Sequence, residues 1–203
     1  MKKPIVFLTL LVLLAGCAPA DGTAESPSAS PPSSSATPSA TASGGRTASP
    51  PTDEQVSWAG TVCSDTATLK TDIQGLATAA ATGGGSVGTA VSNQMDTVSA
   101  SVGALVDTVK SPPENLGDDP ELRAVQDSID TVEQSLTTLQ ASAGAVEGTT
   151  GAALVDALAT LVGDTGTMLS ALTDTVQAIT TATQDTTSTL GQAFRAAPEC
   201  AAL

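Results

Sequence analysis

Beyond Asp53 apolar residues return every three or four positions, the spacing that puts side chains on one face of a helix. In the first such stretch, from Asp53 to about Thr82, Val62, Leu69, Ile73, Leu76 and Ala80 form the stripe. Thr52 or Asp53 is placed to cap it, Glu54 falls in the first turn where a negative charge is favoured, and Gly83-Gly84-Gly85 stops it. A second stripe runs Val87, Val91, Met95, Val98, Val102, Leu105 and Val109 and ends at Ser111-Pro112-Pro113, since proline cannot continue a helix. The third is the most regular: Leu122, Val125, Ile129, Val132, Leu136, Leu139, Ala143 and Val146 alternate threes and fours. Asp118 or Asp119 caps it and Pro120 sits in its first turn, where the missing donor costs nothing.

The last stripe follows Gly148-Thr149-Thr150-Gly151 and holds Leu154, Leu158, Leu161, Thr165, Met168, Leu172, Val176, Ile179, Leu190 and Phe194. As one helix it would be ~65 Å long against ~45 Å for the first and third. Gly163 and Gly166 are the expected place for a kink or break, leaving a bent helix or a second one from about Asp164 to Ala197. Four such segments with short connections predict an all-α domain, an antiparallel up-down-up-down four-helix bundle with coiled-coil-like faces. Valine and threonine are plentiful and favour strands, but the three-four spacing persists throughout and no two-residue hairpin signal such as Asn-Gly occurs. Ala79, Ala143 and Ala159 are expected in the core, where small side chains mean either close helix approach or an internal void.

Residues 1–16 have a different pattern. Lys2 and Lys3 precede an apolar segment from Ile5 to Leu14, and small residues follow, the three parts of an export signal. The segment is too short for a bilayer-spanning helix, which needs about 20 residues. Cys17 directly follows Leu14-Ala15-Gly16, and this tetrad resembles the bacterial lipoprotein signal. The resemblance makes Leu14, Ala15 and Gly16 the recognition positions and Cys17 the residue that receives a diacylglyceryl group and becomes the mature N-terminus. Two or three acyl chains there satisfy the requirement that stable anchoring takes more than one. An ordinary secreted protein with an incidental Cys17 is the alternative.

From Ala18 to Thr52 the chain is almost entirely Ser, Thr, Pro, Ala and Gly, too poor in apolar surface to offset its ordering entropy. Together with Cys17 it is expected to form a disordered tether over residues 17–52, leaving 53–203 as the folded domain. As a flexible coil the tether reaches ~35 Å and as extended polyproline II ~100 Å. Its Ser and Thr residues beside Pro are possible acceptors for O-linked sugars; a bare spacer is the other reading.

Charge narrows the partners. Lys2 and Lys3 leave with the signal, so the mature chain has 5 basic and 21 acidic residues, a formal charge of −16. Such a chain repels nucleic acid and anionic headgroups and attracts cationic peptides or loosely held divalent ions, although most of this acidity is expected simply to solvate exposed faces.

With Cys17 acylated, Cys63 and Cys200 remain, and outside the cytoplasm a disulfide between them is favoured. An up-down-up-down bundle puts the start of its first helix and the end of its last at the same end, where these two fall. Trp58 and Phe194, the aromatics of the mature chain, lie close to the two cysteines. They are expected to pack there as an apolar plug rather than to stand exposed as a ligand-binding pair.

Trp58-x4-Cys63 opening an Ala/Thr-rich helical domain, with Phe194-x5-Cys200 near the C-terminus, resembles small, mostly uncharacterised actinobacterial secreted proteins and lipoproteins. That resemblance covers roughly Val56 to Leu203 and implies a helical exported domain with an end-to-end disulfide and no activity. The bias towards Ala, Thr, Gly, Val and Asp is similar to that of proteins from GC-rich actinobacterial genomes.

The chain has no histidine, which removes Ser-His-Asp and Cys-His nucleophiles and the usual mixed zinc ligands. Gly83-Gly84-Gly85 lacks the lysine of a phosphate loop, and Asp118-Asp119 lacks the spaced ligands of a calcium loop. Asp127, Asp130 and Glu133 sit on the polar face of the third stripe. No cofactor, no metal and no catalysis are therefore expected. The function expected is that of a non-catalytic, lipid-anchored envelope protein on the outer face of the cytoplasmic membrane, contacting an envelope protein, a wall polymer or another copy of itself. The alternative is a lipoprotein that binds a small apolar ligand between its helices.

Overall fold

The structure, a computed structural model, describes residues 49–117 and 119–203. Leu14, Ala15, Gly16, Cys17, most of the tether and Asp118 lie outside the described residues. Five helices follow in order: α1 (Asp53–Thr82), α2 (Val87–Lys110), α3 (Pro120–Val146), α4 (Gly151–Gln184) and α5 (Thr189–Ala196), with 3-10 turns at Gly84–Ser86 and Pro198–Ala202. No strand occurs among the described residues.

Local chemistry sets the helix ends. The Thr52 hydroxyl accepts a hydrogen bond from the Gln55 amide at 3.3 Å, and the Gln55 side chain accepts one from the Thr52 amide at 2.9 Å, a reciprocal cap on α1. Gln55 is itself buried and donates to the Glu114 carbonyl at 3.3 Å, which ties the α2–α3 connection to the start of α1. α1 ends at Thr82, and Gly84 takes the left-handed conformation with φ 52° that its lack of a side chain permits. The Asp119 carboxylate caps α3 by accepting from the Glu121 amide at 3.0 Å, with Pro120 as the first helical residue.

The stripes form the core. Leu69, Ile73 and Leu76 of α1, Val91, Val98 and Leu105 of α2, Leu122, Val125 and Ile129 of α3, and Leu161, Met168 and Ile179 of α4 are all buried. α1 packs against α2 and α4, α3 packs against α2 and α4, and α5 rests on α4 and α1. Bonds between helices run in a consistent order. Asp65 of α1 accepts from Thr108 at 2.9 Å, and further along Asp72 accepts from Ser101 at 2.5 Å. Between α2 and α3, Gln126 donates to the Val109 carbonyl at 3.4 Å and Gln140 donates to Ser99 at 3.2 Å. The paired contacts of Lys110 with Asp130 and Glu133, at 3.3 and 2.6 Å, are exposed and add little to stability.

Threonine, a poor helix former, fits this core because its hydroxyl can bond back to the preceding turn. Buried Thr66, Thr165 and Thr175 donate to the carbonyls of Val62, Leu161 and Ala171 at 2.7, 2.7 and 3.2 Å. Among the described residues no buried side-chain polar atom is left without a partner.

Two expectations for the last stripe are corrected. α4 runs unbroken through Gly163 and Gly166, and the chain breaks instead at residues 185–188. A glycine costs a helix no more than ~1 kcal/mol, whereas Asp185-Thr186-Thr187-Ser188 offers the backbone side-chain partners in place of helical ones. The Asp185 carboxylate accepts from the amides of Thr187 and Ser188 at 2.7 and 3.2 Å, and Ser188 then caps α5 by accepting from the Gly191 amide at 2.9 Å. Gly191 is required there, because a Cβ would run into the carbonyls of Asp185 and Ala182 as α5 folds back on the end of α4. Gly163 and Gly166 have open space where a Cβ would go. Replacing both by alanine is expected to raise stability by about 1 kcal/mol or more in urea unfolding; a loss would show that the helix needs them.

The second correction concerns burial. α4 has 34 residues against 27 in α3, and the first buried residue of α4 is Leu161. Leu154 and Leu158 are half-buried and Ala159 is exposed, so that alanine is not part of the core; Ala143 is, and Ala79 is half-buried.

Candidate functional site

The sequence-predicted residues that the structure describes meet at one end. Cys63 and Cys200 are disulfide-bonded with their Cα atoms 5.1 Å apart and 137 positions apart in sequence. Trp58 lies five residues before Cys63 on α1 and is buried. Its indole Nε1 donates to the Thr108 carbonyl at 2.7 Å, which satisfies the ring's polar atom at the end of α2. Phe194, on the short α5, is 1% exposed, and its ring centre lies 5.8 Å from that of Trp58 with the planes tilted by 48°. Two buried rings thus pack against each other at the end that carries the disulfide.

The same end is acidic. Glu121 has its pKa raised, chiefly because its hydrogen bond with the Asp119 carboxylate forms only while Glu121 holds a proton; burial and the charge of Asp185 act in the same direction. Asp185 has its pKa lowered, first by the Thr187 hydroxyl and then by the Thr187 amide, which stabilise its charged form. Among the described residues no three His, Cys, Asp or Glu side chains gather as a metal-binding group.

At the other end, a groove of ≈ 600 Å³ lies between the α1–α2 and α3–α4 connections. Val87, Val146 and Leu154 supply its apolar lining, and Gly84, Gly148 and Gly151, all with positive φ, form part of its wall. Beside it the start of α4 exposes Val155 and Val162, at 66% and 53%.

Residues 1–18 match the model of the prokaryotic membrane lipoprotein lipid attachment site.

The match supports a bacterial lipoprotein, membrane-associated through a lipid, and Cys17 is the cysteine within the matched segment. No curated protein and no solved structure matches the chain. The sequence reading missed the groove and the exposed start of α4. The signal available was that Val155 and Val162 are apolar yet fall outside the three-four repeat of the last stripe.

Proposed function

We propose that this is a non-catalytic lipoprotein anchored through lipid on Cys17 to the outer face of the cytoplasmic membrane, where it presents a helical bundle to another envelope component. The observation that carries this reading is the lipid-attachment match at the head of a chain whose C-terminal part is a packed helical domain. The bundle is read as antiparallel and up-down-up-down. In support, Asp65 and Asp72 of α1 meet Thr108 and Ser101 of α2 in reversed order, as Gln126 and Gln140 of α3 meet Val109 and Ser99.

The tether of residues 17–52 would hold the bundle off the bilayer. The formal charge of −16 on the mature chain argues against nucleic acid as partner. With no histidine and buried aromatics, the chain offers surfaces for contact more readily than groups for chemistry.

Crosslinking in intact cells followed by pull-down tests the reading, with a Cys17→Ser form that cannot be anchored as the comparison. The anchored form is expected to recover a crosslinked partner and the Cys17→Ser form to lose most of it. Equal recovery from both would show that attachment is not needed for contact.

A further inference from the structure

We infer that the exposed start of α4, with the groove beside it, is a docking surface for a basic amphipathic helix of a partner protein. This rests on the envelope-contact reading above and gives it a place and a chemistry.

The surface is apolar and unpartnered. In the most apolar 18-residue stretch of α4 only 17% is buried. Val155, Ala159, Val162 and Gly166 are all exposed and follow one another at spacings of four, three and four, so they share one face as a continuous ridge. Val155 and Val162 are the large apolar side chains found exposed among the described residues. Space is open at Gly163 and Gly166, so a second helix can approach the backbone closely. Leu154, next to Val155, turns into the groove and joins it to the ridge.

Charge selects the occupant. α4 carries Asp156, Asp164 and Asp174 and no basic residue, and neither Lys nor Arg occurs anywhere between residues 124 and 194. Asp156 and Asp174 are exposed and lie about 100° round the helix from the ridge, along its solvent edge. Glu147 stands in the groove wall. A helix with an apolar stripe and lysines or arginines beside it would cover the valines and meet Asp156 and Asp174, whereas Asp164 turns the other way and bonds to Ser142 of α3. A second copy of the chain would bring another −16 charges to the same place, and an anionic bilayer would be repelled as well.

The test uses the chain from residue 17 onward with Cys17→Ser, so that no lipid intervenes. The probes are two labelled peptides of about 18 residues, long enough to cover the ridge, with the same leucine stripe flanked in one by lysines and in the other by glutamates. Fluorescence anisotropy is expected to show binding of the lysine peptide alone, weakened by salt, and about tenfold weaker to the Val155→Gln/Val162→Gln variant, which removes the apolar contact without changing the charge. Because both valines are exposed, that variant should keep its fold, which circular dichroism checks. Equal binding of the two peptides, or none by either, overturns the proposal. Sedimentation of the unlabelled chain as a dimer that the variant dissolves would make a second copy the occupant, and variant-sensitive binding to phosphatidylglycerol vesicles would make it the membrane; either overturns it. If the anchored variant still recovers its partner from intact cells as well as the parent does, this surface is wrong while the envelope-contact reading stands.

Discussion

Replacing Cys63 and Cys200 together by alanine is expected to lower the melting temperature of the helical domain by about 10–15 °C. The bond closes a span of 137 positions, and in the chain-entropy model a loop of that size restricts the unfolded chain by about 4–5 kcal/mol. The effect is large here because the core is lean. Much of what the stripes bury is valine, alanine and threonine, which remove less apolar area from water than leucine or phenylalanine would. The disulfide also fixes the C-terminal 3-10 turn, Pro198–Ala202, to α1. Far-UV circular dichroism of the variant at low temperature should still report helix, since the stripes are untouched. Reduction of the parent protein should reproduce the shift. An unchanged melting temperature would mean that packing alone holds that end together.

Phe194→Ala is the second large effect, expected at about 3–5 kcal/mol in urea unfolding, the range for deleting a fully buried aromatic ring. α5 has only eight residues and docks through Leu190, Ala193 and Phe194, so losing the ring removes most of what holds it down. Trp58, the only tryptophan, reports the change directly. With its ring neighbour gone its emission should move to longer wavelength as water reaches it. Phe194→Leu keeps most of the apolar volume and loses the ring pair, for a smaller cost of about 1 kcal/mol. A Phe194→Ala cost below that of the leucine variant would remove the plug from the list of what stabilises this end.

Much of the helical architecture could be read from spacing, because a side-chain repeat of three and four positions has no other regular solution. The first three stripes correspond to α1, α2 and α3 and the fourth to α4 and α5 together, and Gly83, Pro112 and Pro120 stand at boundaries for steric reasons. The reciprocal Thr52–Gln55 cap is also visible in the sequence as a Thr-x-x-Gln pattern. What spacing could not rank was the strength of competing breaks. Gly163 and Gly166 look like the weak point of a long helix, yet glycine only fails to help, while Asp185 and Ser188 actively bond to the backbone in its place.

Nor does periodicity say whether a stripe has anything to pack against. Leu154 and Leu158 continue the pattern of Leu161 perfectly well but lie where α4 begins, beyond the buried part of its face, and so they remain half-covered. The ridge of the docking surface proposed above lies on another face of α4, where Val155 and Val162 are apolar residues that do not belong to the stripe. The site residues divide in the same way: the meeting of Trp58, Cys63, Phe194 and Cys200 follows once the first and last helices share an end, whereas the acylation of Cys17 rests on a short motif at the head of the chain.

The anchor is measured directly by mass spectrometry of the N-terminal peptide of the protein purified from membranes. A peptide that begins at Cys17 and carries a diacylglyceryl group on its sulfur is the expected result. A peptide that begins upstream of Cys17, or one whose Cys17 thiol is unmodified, contradicts lipid anchoring and with it the proposed place of this helical domain at the membrane.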